Sequence, residues 1–180
     1  MIRDFSEIDD VEITICADLS EERLVPIRKR LPGIVTTKDY NDVINNKPVD
    51  AVVIATPANT HYRIAKESLL AGKHTFVEKP LTFSPGEAEE LVGLSKKVNR
   101  TLMVGHTFEF NPAVEWMKGY IRKKELGDVY YITSRRLNLG KIREDINAMW
   151  NLAPHDVSIL IFLLENMPVE VRAFGASFVR

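Results

Sequence analysis

The sequence predicts an α/β protein, with a partial, doubly wound parallel sheet followed by the start of an α+β domain with an open mixed sheet. Over residues 1–107, segments with strand and helix character alternate and are joined by short connections, as in a parallel α/β sheet. The run "VDAVVIATP" is mostly apolar and ends in proline, which is typical of a strand buried on both faces. From residue 108 the pattern changes, so we predict a second domain over 108–180.

The predicted elements of the first domain form a series of strand and helix pairs. A helix tail at the amino terminus, "MIRDFSEI", leads into strands and helices that alternate. The strands are "VEITICA", "IVTTK", "VDAVVIATP", "HTFVEKP" and "TLMVGH", and the helices are "LSEERLVPIRKRLPG", "DYNDVINNK", "NTHYRIAKESLLAGK" and "SPGEAEELVGLSKKVNR". In the last of these helices, Ser84 is predicted as the N-cap, with Pro85 at the first position and Glu87 completing a capping box.

The second domain is predicted to contain two helices and two strands. The first helix is "NPAVEWMKGYIRKKELG", and the second is "APHDVSILIFLLEN", which we expect to begin at Pro154. The strand candidates are "DVYYITSRRLNLG", over residues 128–140, and "VEVRAFGASFVR", over residues 169–180. These strands would form the open mixed sheet.

Composition excludes several classes of function. The chain has 180 residues with 24 Lys and Arg against 25 Asp and Glu, a net charge of −1, so we expect no nucleic-acid partner and no membrane partner. The four histidines do not cluster with acids at metal-ligand spacing, and no metal site is predicted. Cys16 is the single cysteine, which excludes an internal disulfide framework and fits a cytoplasmic location. The longest apolar run, "VSILIFLL", is too short to span a bilayer.

A Gly-x-Gly phosphate loop is missing from the sequence. A dinucleotide-binding sheet normally opens with a strand and a Gly-x-Gly-x-x-Gly turn, but no two of the nine glycines have Gly-x-Gly spacing. We expect the first strand and this loop to lie before Met1. Because the first strand lies in the middle of such a sheet, we predict a gap in the core with unpaired backbone on both sides.

Asp18, Glu78 and Lys79 follow predicted strands at the edge where open α/β sheets bind ligands. Asp18 could accept both adenosine-ribose hydroxyls, which would favour NAD over NADP, or it could be a helix N-cap, and the spacing does not separate the two. Pro80 favours an extended conformation at Lys79, which would project that side chain from the strand. The alternative is an ordinary surface lysine before a turn. Glu78 would hold the lysine charge or bind a ribose hydroxyl.

His155 is the candidate general base. It follows Pro154 in what we predict to be the first turn of a helix, where the macrodipole disfavours an imidazolium. A neutral imidazole can accept a proton, and Asn151 is near enough to orient the ring or a substrate hydroxyl. The alternative is a histidine that caps or packs.

The string "DAVVIATPANTHYRIAKESLLAGKHTFVEKPLT", at residues 50–82, resembles the glucose–fructose oxidoreductase, inositol dehydrogenase and MocA family (Gfo/Idh/MocA). The segments "ATP", "AGKH" and "EKP" in this order and spacing are specific together. The segments "MVGHTFEFNPAV", "LGDVYYITSRRLNLG" and "NAMWNLAPHDVSIL" continue the similarity and most resemble members that act on sugars or nucleotide-sugars. Family members are longer, so the chain resembles the middle of the family's sequence.

The resemblance implies an NAD(P)-binding Rossmann domain, hydride transfer between a sugar carbon and nicotinamide, and homo-oligomers built through the second sheet. Carried over by position, it implies catalytic roles for Lys79 and His155 and a ribose-binding role for Asp18. It also implies a set of cofactor contacts and a set of substrate contacts. The cofactor contacts are Thr56, Pro57, His61, Glu78, Lys79 and Pro80, and the substrate contacts are Asn111 and Arg135 or Arg136.

Two of these implications have open alternatives. Many members carry Asp at the position of Asn151, so this side chain would position a group by hydrogen bonding and not relay a proton. The two arginines could equally be an exposed pair on a strand. At the level of function, the alternative to an oxidoreductase is an inactive chain, or a structural or binding partner that needs another chain to complete its cofactor site.

Overall fold

The computed structural model describes residues 1–137 and 146–176. These residues form two compact units, the first being Met1–Gly105 and the second beginning at His106. Each unit is described below by itself.

The first unit contains five strands and five helices in alternation. The strands are β1 (Ile15–Ala17), β2 (Val35–Thr37), β3 (Ala51–Ile54), β4 (His74–Val77) and β5 (Leu102–Val104), and the helices are α1 (Ile2–Phe5), α2 (Glu21–Arg30), α3 (Tyr40–Ile44), α4 (His61–Leu70) and α5 (Pro85–Lys97). Each lies within its predicted segment. The strands are shorter than predicted, since only their central residues take part in backbone pairing.

The strands form two separate parallel sheets. Strands β3, β4 and β5 pair in that order, and in the part of the chain that the structure describes β1 pairs with β2 and with no other strand. The apolar side chain of Ile15, on β1, nevertheless packs against the core that contains Val52 and Ile54 of β3. Strands β1 and β3 therefore share a core without pairing, which confirms the predicted gap in the sheet.

The core of the first unit lies between the β3–β4–β5 sheet and helices α4 and α5. Its buried members are Ile44, Val49, Val52, Ile54, Ile64, Ala65, Leu69, Val77 and Leu91. The apolar residues of α4 recur at helical spacing, which turns one face toward the sheet. On the other face, Phe5 of α1 meets Phe76 of β4 edge to face, with ring centroids 6.0 Å apart.

The prediction that β3 is buried on both faces was wrong. Val52 and Ile54 are buried, whereas Ala51 and Val53 are exposed, with Val53 at 41%. Helices α4 and α5 cover the face that carries Val52 and Ile54. Within the described residues, no comparable layer of helices covers the face of Val53. An apolar run in a strand therefore did not distinguish one covered face from two.

A buried lysine holds the connection between α3 and β3. Lys73 is 7% exposed, and its ammonium group donates to the backbone carbonyls of Asn46, at 2.8 Å, and Val49, at 2.6 Å. These bonds satisfy both the charge and two carbonyl groups of the turn, as burial of a charged group requires.

The start of α5 agrees with the sequence in all but one respect. Ser84 is the N-cap and Pro85 the first helical residue, which confirms both predictions. The prediction of a capping box was wrong, because within the described residues the Ser84 side chain makes no capping hydrogen bond. The Ser84 carbonyl accepts a hydrogen bond of 2.7 Å from the Thr82 hydroxyl, which orders the entry to the helix.

The described part of the second unit contains two α-helices, α6 (Pro112–Arg122) and α7 (Ala148–Leu164). The helices are joined by ion pairs from Lys118 and Arg122 to Glu165, which follows the end of α7. The Lys118 ammonium also lies 3.7 Å from the centroid of the Phe162 ring. None of the helices in the described ranges has the length and apolar character to cross a membrane.

Two predictions for the second unit were wrong. Residues 128–137 and 169–176 are not strands, and the rest of the two candidates, 138–140 and 177–180, lies outside the described residues. A strand is defined by a paired neighbour, and these segments expose side chains that a sheet would cover, such as Tyr130 at 92% and Phe174 at 96%. The described part of this unit thus shows no sheet.

Helix α7 begins earlier than predicted. Asn147 is its N-cap, accepting a hydrogen bond of 2.9 Å from the Trp150 amide, and Pro154 lies inside the helix. The prediction that His155 sits in the first turn was therefore wrong. Because the macrodipole acts over the first turn, it does not account for a neutral His155.

Candidate functional site

In the first unit, the predicted cofactor-side residues lie where β3 and β4 end. Backbone pairing continues one step beyond the strands, since the Glu78 amide donates to the Ile54 carbonyl at 2.9 Å. Two loops therefore leave the sheet side by side. We call residues 55–60 the Thr56 loop and residues 78–84 the Lys79 loop.

The two loops bring together side chains that differ in exposure. Thr56 and Pro57 are exposed, Glu78 and Lys79 are half-buried, and Pro80 is buried. Carboxyl ends of parallel strands are the usual ligand-binding edge of an open α/β sheet. The predicted cofactor residues of both loops thus lie at an edge suited to a ligand.

The Thr56 loop is held by a chain of hydrogen bonds. The Thr60 hydroxyl donates to the Pro57 carbonyl at 2.7 Å. Thr60 has one hydroxyl proton, so Thr56 must donate in the 2.7 Å contact between the two hydroxyl oxygens. This leaves both lone pairs of the Thr56 hydroxyl oxygen as acceptors at an exposed position.

Glu78 turns back onto the loop that follows it. Its carboxylate accepts a hydrogen bond of 3.2 Å from the backbone amide of Lys79, which sets the direction in which the chain leaves β4. The Lys79–Pro80 peptide bond is cis. In this structure the Glu78 carboxylate therefore binds the backbone amide of Lys79.

Gly105 makes room for the Glu78 side chain. A Cβ at position 105 would lie 3.2 Å from the Phe76 ring and 3.4 Å from Glu78 Oε2. The sequence analysis missed this residue. A lone glycine next to the end of a strand is the available signal, since it often marks close approach by another group.

Asp18 lies directly after β1 and is 28% exposed at its side chain. One carboxylate oxygen accepts a 2.8 Å hydrogen bond from the Ser20 amide, and the other is 3.6 Å from the Arg23 guanidinium. Ser20 is the N-cap of α2. Asp18 is thus not the N-cap itself but forms the turn before it, and one of its oxygens is left beside a long, exposed arginine.

His61 is buried between the two loops. Its side chain is 1% exposed, with Nδ1 2.7 Å from the Pro80 carbonyl oxygen and Nε2 2.9 Å from the Thr56 carbonyl oxygen. Both ring nitrogens are occupied by backbone groups.

In the second unit, His155 lies in the middle of α7 and contacts an aromatic ring. Its imidazole meets Phe108 edge to face, with centroids 4.9 Å apart. Asn151 lies one turn earlier on the same helix, and residues four apart share a helix face. The structure therefore brings these two predicted catalytic residues to one face of α7.

The two predicted arginines have different surroundings. The Arg136 guanidinium donates to Asp156 at 2.8 Å and lies 5.0 Å from the centroid of the Phe108 ring, while Arg135 is exposed. The Ser134 hydroxyl also donates to Asp156, at 2.8 Å. The side chain of Arg136 thus attaches the segment before residue 137 to α7.

The carboxyl group of Asp156 has a lowered pKa. Partial burial raises that pKa, but the hydrogen bonds from Arg136 and Ser134, together with the charge of Arg136, outweigh the burial and lower it. The contacts of the Asp156 carboxylate therefore stabilise the folded second unit at pH values above the ordinary pKa of an aspartate. This stabilisation is lost as the pH falls through the lowered pKa of Asp156.

We predict that Asp156→Asn reduces the dependence of stability on acid pH. Between neutral pH and the range below about pH 4, wild type should lose more unfolding free energy than the variant, because the variant has no carboxylate to protonate. Urea denaturation at several pH values measures this. Asp128→Asn, at a carboxylate 72% exposed, is the matched control. Parallel stability curves for wild type and Asp156→Asn would contradict the prediction.

Asn111, the remaining predicted substrate contact, caps a helix. Its side-chain oxygen accepts a 2.9 Å hydrogen bond from the Ala113 amide at the start of α6. This bond orients Asn111 and leaves its amide nitrogen as the group that could meet a ligand.

An open apolar cavity of about 500 Å³ lies between α7 and the turn before α6. Its lining includes Trp150, Val157 and His106. Within the described residues, Nδ1 of His106 is buried without a hydrogen-bond partner. The cavity face of α7 is different from the face of Asn151 and His155, neither of which lines it.

Comparison with known proteins agrees with this geometry. Residues 2–106 match the model of the Gfo/Idh/MocA family, described as an oxidoreductase family with an NAD-binding Rossmann fold. A UDP-N-acetylglucosamine 3-dehydrogenase of Acidithiobacillus ferrooxidans is 36% identical over 132 residues, which cover 73% of this chain and 41% of that protein.

Two further relatives match more of the chain. A myo-inositol 2-dehydrogenase of Thermotoga maritima is 27% identical over 177 residues, covering 96% of this chain and 53% of that protein. The crystal structure of an NAD-binding protein from Listeria innocua has a TM-score of 0.81 at 25% identity, covering 90% of this chain and 50% of that one. The chain thus spans about half the length of these relatives.

Proposed function

We propose that this chain, which belongs to the Gfo/Idh/MocA oxidoreductase family, transfers a hydride between a CH–OH group of a sugar or nucleotide-sugar and NAD(P). The observation that supports the proposal is the pair of loops that leave the sheet at the ends of β3 and β4, one carrying Lys79 and the other the exposed residues Thr56 and Pro57. Relatives named as sugar and inositol dehydrogenases support the substrate class.

The residues at this edge fit the ribose and nicotinamide parts of a dinucleotide. Asp18 offers a carboxylate oxygen for ribose hydroxyls, which favours NAD over NADP, and the Thr56 hydroxyl offers an acceptor. Arg23, close to Asp18, is a group that could instead accommodate a 2′-phosphate. The sequence has no Gly-x-Gly turn for the pyrophosphate, so this part of the cofactor has no assigned partner.

On the substrate side, the proposed roles follow from proton-transfer chemistry. A nicotinamide cofactor, when bound, accepts or supplies the hydride. His155 takes the proton of the substrate hydroxyl as the carbon is oxidised. For Lys79 the role is the polarising and relaying one that the family resemblance implies. Asn151 orients the hydroxyl, while Asn111 and the exposed Arg135 contact the sugar or its phosphates. The guanidinium of Arg136 is already bound by Asp156, which favours Arg135 as the contact.

We also propose that the protein is a cytoplasmic homo-oligomer. The second unit exposes apolar side chains along two extended segments, including Tyr131 at 84% and Val171 at 77%. Exposed apolar stretches of this kind commonly mark interfaces. A second copy of the chain would cover these exposed apolar side chains.

The proposed activity is tested by incubating the chain with NAD and a panel that contains UDP-N-acetylglucosamine, myo-inositol and free hexoses. We expect NADH absorbance to appear with at least one nucleotide-sugar or sugar. His155→Ala should lose this activity, whereas His74→Ala, at an exposed histidine, should keep it. Full turnover by His155→Ala would contradict the assignment of the base.

A second function is favoured by the break in the sheet. Among the described residues, β1 pairs with β2 and β3 pairs with β4, and neither strand has a second partner there, so within that part of the chain one edge of each strand has unpaired backbone groups. We infer from these edges an alternative in which the chain is an inactive structural or binding partner that completes its cofactor site with another polypeptide. NADH binding by the chain alone separates the two functions.

A further inference from the structure

We propose that His61 is a positioning residue that ties the Thr56 loop to the Lys79 loop through its two ring nitrogens. This inference rests on the proposed function, in that the loops are taken as the two sides of the cofactor and substrate site. The role differs from the cofactor contact that the family resemblance implies for His61.

The burial of the ring argues against direct ligand contact. His61 is 1% exposed, and its ring nitrogens lie 2.7 Å and 2.9 Å from the carbonyl oxygens of Pro80 and Thr56. An imidazole has two polar atoms, and both are already used. The ring therefore acts on a ligand only through the backbone that it holds.

The two carbonyl groups belong to the segments that carry the proposed chemistry. Pro80 follows Lys79 directly, and Thr56 precedes Pro57. Beyond the Glu78–Ile54 backbone bond, the loops no longer pair through the sheet. The His61 ring thus links them past the point where sheet pairing stops.

The position of His61 gives the link a rigid base. His61 is the first residue of α4, and the same helix contributes the buried residues Ile64, Ala65 and Leu69 to the core. A ring fixed by a packed helix transfers that rigidity to both loops. A displacement near 1 Å at a reacting group can cost about 10²-fold in rate, so a loose Lys79 loop would lower turnover.

The chemistry of the ring makes each contact separately testable. A ring nitrogen with a proton donates to a carbonyl oxygen, and both carbonyls receive hydrogen bonds only when both nitrogens carry protons. NMR scalar coupling across a hydrogen bond from a His61 ring nitrogen to the Thr56 or Pro80 carbonyl carbon would identify each bond directly. We expect at least one such coupling in the wild-type chain.

Substitutions test the linkage between loops by hydrogen exchange. His61→Phe keeps ring volume and removes both nitrogens. We expect two amides to exchange about tenfold faster or more: that of Thr60, which bonds to the Pro57 carbonyl inside the Thr56 loop, and that of Glu78, which opens the Lys79 loop with the last backbone bond to Ile54. Amides in the centre of β4 should keep wild-type rates. His61→Gln retains one amide donor and should restore protection in one loop.

His74→Phe is the matched control, since His74 is exposed and its ring bonds only to the Thr101 amide among the described residues. Unchanged exchange in both loops of a folded His61→Phe protein would overturn the proposal. If His61→Phe does not fold, the exchange of ring protons with water is compared in the wild-type chain. A His61 ring proton that exchanges as fast as the His74 ring proton would also overturn the proposal. Hydrogen exchange and ring-proton exchange do not depend on turnover. A failure of the His61 link between the loops can therefore be distinguished from an absence of oxidoreductase activity.

Discussion

Lys79→Ala is expected to lower the rate of hydride transfer about 10²- to 10⁴-fold, the usual contribution of a positioned acid or base. The affinity for NADH should change little, because the Thr56 loop and Asp18 remain. The physical reason is the position of Lys79 at the ligand-binding edge of the sheet, where the Glu78 carboxylate accepts a hydrogen bond from the Lys79 backbone amide. Single-turnover and steady-state rates with the same sugar substrate measure the effect.

Lys79→Arg separates charge from proton transfer. Arginine keeps the positive charge but does not release a proton near neutral pH, so we expect Lys79→Arg to bind NADH as wild type does without restoring the rate. Lys47→Ala, at an exposed lysine, is the control for loss of a positive side chain. Wild-type turnover by Lys79→Ala would remove this lysine from the proposed chemistry.

Lys73→Met is expected to destabilise the first unit by about 2–4 kcal/mol. Methionine fills the space of the lysine stem but leaves the buried carbonyls of Asn46 and Val49 without the donors they now have. Hydrogen bonds from a charged donor contribute about 1.5–3 kcal/mol each, and an unsatisfied buried carbonyl costs a similar amount. Urea denaturation followed by circular dichroism measures the loss.

Lys47→Met is the matched control for this substitution, because Lys47 lies in the same connection and is exposed. We expect its unfolding midpoint to stay near that of wild type. An equal midpoint for Lys73→Met and Lys47→Met would mean that the two carbonyl contacts contribute nothing to stability.

The fold of the first unit could be predicted because local signals and sheet packing agree there. Apolar runs of strand length are separated by helices whose starts and stops carry their own residues, such as Pro85 and Gly72. The gap between β1 and β3 could also be predicted, since the order of strands in a doubly wound sheet places one strand between them. The prediction that failed was the burial of β3 on both faces, because that burial depends on how many layers of helices cover the sheet.

The second unit was predicted less well because its local signals compete. Proline is favoured at the first turn of a helix, so Pro154 was taken as the start of α7. The Asn147 cap, which the sequence analysis did not weigh, begins the helix earlier. The segments 128–137 and 169–176 have the apolar residues of strands, but a strand also needs a paired neighbour, which a local pattern cannot supply.

The candidate site was predictable in its residues but not in their contacts. The order of the segments "ATP" and "EKP" identified Thr56 and Lys79, and the structure brings their loops together. No spacing rule shows that His61 reaches two carbonyl groups, or that Arg136 binds Asp156, since these contacts join residues far apart in sequence. The role of Gly105 depends on the approach of Glu78, which follows β4, whereas Gly105 follows β5.

The most direct measurement is a titration of NADH into the purified chain, followed by nicotinamide fluorescence. We predict saturable binding that is tighter than that of NADPH and that Asp18→Ala weakens about tenfold or more, the loss of a hydrogen bond to a charged acceptor. Asp9→Ala, at an exposed aspartate, should bind as wild type does. A folded chain that gives no saturable NADH signal would contradict cofactor binding by this chain and favour the alternative in which another polypeptide completes the site.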